Sequence, residues 1–240
     1  MDPSEHRFLF EQGARDWWQV GMRACTLAVL PAAARSGRAL DLGAGCGWFV
    51  RELGPGAHGV ELSEDAVAFA AEAGADVEHG RIEDVLPAEG LELVSCLDVL
   101  PHREVDEPAV LRDAGASLAP GGRLLLRLPA FQRLYGAHDR FVHQVRRYDR
   151  SDVPALARHA GLEVERVTFA NCLLFPLVLA SRLAEALRRG ADEARSSNRE
   201  LPGPLNAVLR RVLLSEAALI RRGVNLPFGS SLIVVMRRPA

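Results

Sequence analysis

The most informative part of this sequence is a short apolar strand that runs into a turn of alternating glycines. Ala39–Leu42 has the composition of a buried strand, glycines follow at positions 43, 45 and 47, and we expect a helix to begin near Trp48. Glycine lets the backbone approach a ligand closely. The helix start presents free N–H groups and the positive end of its dipole. This pattern predicts a ligand held by the backbone at the edge of an α/β sheet.

Strand-like and helix-like segments alternate along most of the chain, which predicts a parallel sheet flanked by helices. Apolar residues at helical spacing mark three crossover segments, Asp65–Ala73, Pro108–Leu118 and Ser151–Ala160, and Ser151 is the expected N-cap of the last one. Seven strands are predicted, at Ala39–Leu42, His58–Glu61, Asp76–His79, Leu93–Leu97, Arg123–Leu128, Glu163–Phe169 and Ser231–Met236.

A long segment, from Leu173 to about Arg222, separates the last two predicted strands. It holds two amphipathic helical patterns, Leu177–Arg189 and Leu205–Arg221, which are joined by the polar stretch Ala191–Arg199. Insertions of this length usually carry function or contacts. We expect the insert to cap the substrate site, and a contact with a membrane surface or with a second copy of the chain is the alternative.

The composition indicates one domain, and it provides no overall positive charge that would attract nucleic acid. The chain has 240 residues, 48% of them hydrophobic, with a net charge of -2 and a pI near 6.4, which disfavours nonspecific binding to phosphates. The four cysteines, at positions 25, 46, 96 and 172, show no short paired spacing. This distribution predicts buried thiols rather than disulfides or a zinc site. With no signal-like or membrane-spanning run, we expect a cytoplasmic protein without a transmembrane segment.

The glycine spacing separates this turn from the dinucleotide-binding fingerprint. That fingerprint reads G-x-G-x-x-G, whereas Trp48 stands here where its third glycine would fall. The segment instead resembles motif I of class I S-adenosylmethionine-dependent methyltransferases, whose consensus is close to D-x-G-x-G-x-G. By that resemblance Asp41 orders the loop near the methionine amine. The residues that the resemblance places along the cofactor are Gly43, Ala44, Gly45 and Gly47.

Two further segments resemble the nucleoside side of that family's cofactor site. Glu61 closes the second predicted strand, where a carboxylate accepts both ribose hydroxyls, and Leu62 follows it. His79-Gly80-Arg81-Ile82-Glu83-Asp84 stands where the family encloses adenine, with Ile82 as the apolar contact. Either Glu83 or Asp84 then binds the adenine amine, and Arg81 departs from the Asp of many relatives.

The end of the fourth predicted strand resembles the family's methionine side. Ser95-Cys96-Leu97-Asp98-Val99-Leu100-Pro101-His102 is similar to the L-D-V-L-E-H of many relatives, with Pro101 in place of the usual Glu. By resemblance Leu97 contacts the methionine end through its backbone, and Asp98 and His102 border the transfer site.

The segment after the fifth predicted strand carries the residues that we expect to meet the acceptor. Residues 138–148 resemble the H-D-x-x-x-H-x-x-R-R-Y segment of a bacterial methyltransferase subgroup. His138 or His143 is the candidate catalytic base, with Asp139 orienting the ring, although aligned methyl transfer needs a base only for some acceptors. The predicted substrate-binding residues are Trp17, Trp18, Phe131, Tyr135, Arg146, Arg147 and Tyr148.

The paired arginines in this segment allow two interpretations. As a guanidinium fork, Arg146 and Arg147 would favour an anionic acceptor. Alternatively, His138, Asp139, Arg146 and Tyr148 form a buried polar network that locks the loop in place.

The sequence therefore predicts an α/β protein with a Rossmann-like, mostly parallel seven-stranded sheet and an antiparallel last strand. We expect an N-terminal helical lid at 1–36, an S-adenosylmethionine-binding core at 37–172, a helical insert at 173–226 and the final strand at 227–240. The predicted activity is methyl transfer to a small molecule of secondary or specialised metabolism, with no metal, no nucleic acid and a homodimer as one arrangement. The alternatives are an enzyme that cyclises or transfers the aminobutyl group of the cofactor, and a non-catalytic methyltransferase-like partner subunit.

Overall fold

The computed structural model describes residue 7 and residues 10–35, 37–187 and 201–239, with residues 183–187 described by their backbone alone. The predicted connection Ala191–Arg199 lies outside these ranges. The strands are β1 Ala39–Leu42, β2 Ala57–Glu61, β3 Val77–His79, β4 Leu91–Leu97, β5 Leu118–Pro129, β6 Glu163–Ala170 and β7 Ser231–Arg237. The helices are α1 Trp17–Ala28, α2 Trp48–Leu53, α3 Glu64–Glu72, α4 Ile82–Val85, α5 Glu107–Ser117, α6 Ala137–Phe141, α7 Val153–Ala160, α8 Phe175–Leu187 and α9 Gly203–Arg221.

The strands form one sheet in the order β3-β2-β1-β4-β5-β7-β6. The pairs along β3-β2-β1-β4-β5 are parallel, and β7 runs antiparallel between β5 and β6. The predicted Rossmann-like fold with an antiparallel last strand is confirmed. Central strands that are covered on both faces are apolar along their whole length, and Leu124–Leu126 of β5 and Leu232–Met236 of β7 are almost fully buried. The four cysteines are buried free thiols, as predicted.

The start of α7 differs from the prediction. A 3₁₀ turn, Arg150–Asp152, precedes the helix, and the backbone N–H of Asp149 donates to the Asp152 carboxylate at 2.8 Å. Ser151 lies inside this turn and is exposed, so the expected N-cap at Ser151 is wrong. Aspartate supplies the capping box because its carboxylate can accept a backbone N–H three residues away.

Helix α9 contacts both α1 and the segment immediately before α8. A Cβ atom on Gly21 of α1 would lie 2.4 Å from Cβ of Leu213, so only glycine allows α1 and α9 to approach this closely. At the other end of the contact, Asn206 Oδ1 accepts the N–H of Trp17 at 2.8 Å. The buried Glu216 carboxylate accepts the N–H groups of Cys172 and Leu173, immediately before α8. Packing on α9 thereby places α1 and α8 over the same end of the sheet.

Within the described ranges, no helix has the length and apolar character needed to cross a bilayer.

Candidate active site

The glycine turn after β1 has a left-handed backbone at its three glycines, with φ of 69° at Gly43, 55° at Gly45 and 71° at Gly47. A Cβ atom on Gly43 would lie 2.4 Å from Val99, and one on Gly47 would lie 2.4 Å from Ala75. At Gly45 an added Cβ would meet nothing within 4 Å. The outer two glycines are required by packing, whereas Gly45 faces open space at the site.

Glu61, at the end of β2, is tied to this turn. Its Oε2 accepts the backbone N–H of Gly45 at 2.9 Å, and its Oε1 accepts the N–H of Ser63 at 2.9 Å. The Ser63 side chain in turn accepts the N–H of Ala66 in the first turn of α3. The carboxylate is therefore held at the edge of the turn by backbone donors from both sides.

Asp41 lies in β1 beneath the turn and is almost fully buried. Ser95 Oγ donates to its Oδ1 at 2.6 Å. Burial raises the pKa of Asp41 to about 7, with a smaller upward contribution from the Glu61 charge, while the Ser95 hydrogen bond and Arg127 act in the opposite direction. The carboxyl group therefore keeps its proton well above the pH at which an exposed aspartate loses it.

This raised pKa predicts a pH dependence of stability. Because the folded state holds the Asp41 proton more tightly than the unfolded state, the fold is stabilised below about pH 4 and loses that contribution as the pH rises to about 7. Asp41→Asn carries no titrating group and keeps an acceptor for Ser95. We expect its free energy of unfolding, relative to the wild type, to increase by roughly 3–4 kcal/mol across this interval. Urea unfolding at several pH values measures the difference, and a constant difference would contradict the assignment.

A cavity of about 1200 Å³ opens at the carboxyl ends of β1, β2, β4 and β5. Ligands of open α/β sheets bind at this edge. Asp41, Ala44 and Gly47 are not in its wall. The predicted cofactor-binding residues that line it are Gly43, Gly45, Glu61, Leu62, Ile82, Glu83, Leu97, Asp98 and His102.

The predicted acceptor residues divide into two groups. Trp17, Trp18, His138, Asp139, His143 and Arg147 line the cavity. The structure places the others, Phe131, Tyr135, Arg146 and Tyr148, outside its wall.

Those four side chains stabilise the loop after β5 and do not line the cavity. Phe131 stacks on Phe169 with ring centroids 5.2 Å apart, and the Tyr135 hydroxyl donates to the Gln144 carbonyl at 2.9 Å. Tyr148 is fully buried and its hydroxyl donates to Glu107, so it provides no aromatic wall for an acceptor. Arg146 lies over the Tyr148 ring and pairs with Glu107 and Asp152, which directs its guanidinium away from the cavity.

Asp139 and Arg147 form a buried ion pair in the cavity wall. Arg147 Nε donates to Asp139 Oδ1 at 2.9 Å and Nη2 donates to Oδ2 at 3.1 Å, while the Gly136 N–H donates to Oδ2 at 2.8 Å. Arg147 Nη1 also donates to the Ala130 carbonyl. The charge partner of Asp139 is therefore an arginine, in place of the histidine that the sequence pattern suggested. The guanidinium of Arg147 is therefore already hydrogen-bonded within the protein.

Histidines from two loops meet at the cavity. The loop after β4 pairs with the loop after β5 through a bridge between His102 and Gln144 and an N–H of Val145 that donates to the Pro101 carbonyl at 2.8 Å. Burial lowers the pKa of His102, despite the opposing charge of Asp98. A neutral imidazole at neutral pH can accept a proton.

Sequence reasoning missed several residues of the cavity wall. Arg127 of β5 pairs with Asp98, with Nε 2.8 Å from Oδ2, and a lone arginine in an apolar strand was the signal that pointed to it. Asp98 itself has φ of 62°, so this pairing holds a strained backbone position at the end of β4. The sequence analysis expected the insert to cap the substrate site but singled out none of its side chains. The insert residues that line the cavity are Leu174, Leu177, Val178, Ser181, Arg182 and Leu209.

Among the described residues, no group of three or more histidine, cysteine or acidic side chains is arranged to hold a metal ion.

The chain is similar to known proteins in sequence and in fold. A family model described as a methyltransferase domain matches residues 17–167. No curated protein matches the chain significantly. Similar solved structures include a methyltransferase of Haloferax volcanii in complex with the Trm112 activator, which is 18% identical with 99% and 96% of the two chains covered and a TM-score of 0.62.

Two other similar structures extend the comparison. An S-adenosylmethionine-dependent methyltransferase of Thermotoga maritima, described as a possible histamine N-methyltransferase, is 18% identical over 97% of both chains, with a TM-score of 0.59. The N-methyltransferase NodS of Bradyrhizobium japonicum, in complex with S-adenosylhomocysteine, is 13% identical over 93% and 88% of the chains, with a TM-score of 0.56. At these identities the likeness shows a shared fold.

A parallel sheet with a glycine turn and a carboxylate at its carboxyl edge defines a Rossmann-like cofactor-binding protein. Because the family model matches more than half of the sequence, the chain belongs to the methyltransferase domain family. Membership of this family indicates S-adenosylmethionine as the cofactor.

Proposed function

We propose that this protein binds S-adenosylmethionine at the glycine turn and transfers its methyl group to a small-molecule acceptor in the same cavity. The observation that carries the proposal is that one cavity borders both the turn with Glu61 and the loop after β5. Its volume of about 1200 Å³ exceeds the roughly 300–1,000 Å³ of ordinary ligand pockets. That volume leaves room for a cofactor and an acceptor side by side.

The residues at the turn fit such a cofactor. Gly45 leaves open space where a side chain would stand, and Glu61 offers carboxylate oxygens to hydroxyl groups at the same edge. Ile82 and Glu83 would enclose the adenine, and Leu97, Asp98 and His102 would border the methionine end. Asp41, Ala44 and Gly47 support the turn from behind. The bound cofactor supplies a methyl group already activated by its positively charged sulfur.

The protein then has to align the acceptor, exclude water and take up a proton where the acceptor releases one. Trp17 and Trp18 of α1 and the apolar side chains of α8 line the cavity and would shield it from solvent. Arg127 fixes the carboxylate of Asp98 at the end of β4. For the proton, His138 and His143 remain the candidate bases, and His102, with its lowered pKa, is available in its neutral form beside Asp98.

Calorimetric titration of the protein with S-adenosylmethionine and S-adenosylhomocysteine tests the cofactor site. We expect both to bind in a single site. A correctly folded protein that binds neither would refute the proposal and favour a non-catalytic partner subunit. Product analysis with an acceptor panel separates the remaining alternative, because methyl transfer leaves S-adenosylhomocysteine, whereas cyclisation or aminobutyl transfer leaves methylthioadenosine.

A further inference from the structure

An arginine and an aspartate from neighbouring strands form an ion pair in the cavity wall that uses only part of their hydrogen-bonding capacity. Arg127 Nε and Nη2 each lie 2.8 Å from the same oxygen of Asp98, Oδ2. No described residue donates a hydrogen bond to the second oxygen, Oδ1. A carboxylate accepts hydrogen bonds at both of its oxygens. The Asp98 side chain is 35% exposed in the cavity wall, so Oδ1 is available to a ligand.

The guanidinium of Arg127 also has unused donors. Its Nη1 lies 3.4 Å from Thr26 Oγ1, beyond the usual range of an N–H···O hydrogen bond. That hydroxyl itself donates to the Met22 carbonyl at 2.7 Å. A guanidinium carries five N–H groups, and the short contacts with Asp98 use only two of them. Arg127 lines the cavity with 16% of its side chain exposed.

This pair adjoins the glycine turn. Strand β1 lies between β2 and β4, so Glu61 at the end of β2 and Asp98 at the end of β4 lie on opposite sides of the turn that follows β1. Val99 brings the end of β4 against the turn, because a Cβ atom on Gly43 would lie 2.4 Å from its side chain. A ligand that extends across the turn from Glu61 therefore reaches the Asp98–Arg127 pair with its other end.

The chemistry of the pair matches an α-amino acid. The ammonium group of an amino acid has three donors, which suit the open carboxylate oxygen of Asp98. Its carboxylate is an acceptor for the unused N–H groups of Arg127. Both the ion pair and the amino-acid group have no net charge, so their association leaves no buried charge without a partner.

We propose that the Asp98–Arg127 pair binds the amino-acid group of S-adenosylmethionine, with Arg127 donating to its carboxylate and Asp98 Oδ1 accepting from its ammonium group. This inference rests on the proposed function, since it assigns a contact of the same cofactor. The φ of 62° at Asp98 is a strained conformation of the kind that functional sites retain. A free amino acid that serves as methyl acceptor would have the same chemistry, and the experiment separates these two sources.

Three ligands test the proposal by calorimetric titration: S-adenosylhomocysteine, an analogue with hydrogen in place of its carboxylate, and an analogue with hydrogen in place of its ammonium group. We expect the wild type to bind S-adenosylhomocysteine roughly 10- to 100-fold more tightly than either analogue, as for hydrogen bonds to charged groups. Equal affinity for S-adenosylhomocysteine and either analogue would overturn the inference.

Variants locate the two contacts. Arg127→Gln should weaken binding of S-adenosylhomocysteine to the level of the analogue that lacks the carboxylate, while the affinity for that analogue should not fall. Arg127→Lys should keep part of the preference, since it keeps the charge. Asp98→Asn should remove the preference for the ammonium group. A carboxylate preference that survives Arg127→Gln, or an equal loss of affinity for all three ligands, would overturn the assignment. The second of these results is what a purely structural role of the pair predicts.

Arg123→Gln is the matched control. Arg123 lies four residues before Arg127 on the same strand and face, pairs with Glu165 at 2.7 Å and is not in the cavity wall. This variant should bind the three ligands as the wild type does, and thermal unfolding verifies that each variant is folded. Loss of the carboxylate preference in Arg123→Gln as well would contradict a specific contact at Arg127.

Titration with free methionine in the presence of saturating S-adenosylhomocysteine separates the two sources of an amino-acid group. We expect no binding, because the bound nucleoside ligand occupies the pair. Methionine binding that Arg127→Gln abolishes would assign the pair to an amino-acid acceptor and overturn its assignment to the cofactor. A folded wild type that binds neither S-adenosylhomocysteine nor methylthioadenosine would instead refute the proposed function.

Discussion

Replacing Arg147 with methionine is expected to lower the free energy of unfolding by roughly 3–5 kcal/mol. The change removes the arginine that binds both oxygens of the Asp139 carboxylate, which is 1% exposed, and among the described residues it leaves only Arg182 as a cation, at 4.0 Å. It also removes the donor to the Ala130 carbonyl. A buried charge that loses its partner cannot recover its hydration, and this cost dominates the lost attraction. Denaturant unfolding monitored by circular dichroism measures the effect.

The exposed pair between Arg123 and Glu165 provides the control. Its fork is similar, with donor–acceptor distances of 2.7 and 3.0 Å, but the carboxylate is 35% exposed. We expect Arg123→Met to cost less than about 1 kcal/mol. Combining Arg147→Met with Asp139→Leu should recover much of the stability, because the unpaired charge is gone. Equal losses for Arg147→Met and Arg123→Met would show that burial of the Asp139 pair does not matter.

Replacing Gly45 with alanine is expected to weaken binding of S-adenosylhomocysteine by roughly 10- to 100-fold, the cost of crowding a fitted site. The added methyl group meets no protein atom within 4 Å, so it projects into the space proposed for the cofactor. The substitution also places alanine at a φ of 55°, which costs about 1–2 kcal/mol of stability. Calorimetry measures the affinity and thermal unfolding the stability.

Gly74 separates these two effects. It has a φ of 72°, an added Cβ there also meets nothing within 4 Å, and it is not in the cavity wall. Gly74→Ala should therefore lose a similar amount of stability and bind S-adenosylhomocysteine as the wild type does. If both variants bind normally, the cofactor does not lie against Gly45.

Much of the fold was predictable because its signals are local. The predicted β1 matches the structure at both ends, and the other strands differ by a few residues except at the start of β5, which begins at Leu118 rather than Arg123. The first part of β5 contains Pro120, Gly121 and Gly122, and the pairing of β4 with β5 has a register shift near Leu91. Local composition does not show that the strand extends through such residues.

The candidate site was predictable where its residues adjoin strand ends. Glu61 and Asp98 line the cavity because parallel strands bring their carboxyl ends to one edge. Arg146 and Arg147 show the limit of this reasoning. They are neighbours in sequence, yet one pairs with Glu107 behind the loop and the other with Asp139 in the cavity wall. Spacing alone does not decide which way each side chain of an irregular loop points.

Local patterns were enough to predict the fold class, the glycine turn and the carboxylates at the ends of β2 and β4, because periodicity and backbone requirements act over a few residues. Local patterns do not show that Arg127 pairs with Asp98, that Arg147 pairs with Asp139 or that Arg182 lies in the cavity wall. These positions depend on contacts between distant segments. Examples are the close approach of α9 to α1 at Gly21 and the hydrogen bonds that Glu216 accepts from the backbone just before α8. Long-range packing sets the acceptor side of the cavity because its walls come from elements far apart in the chain.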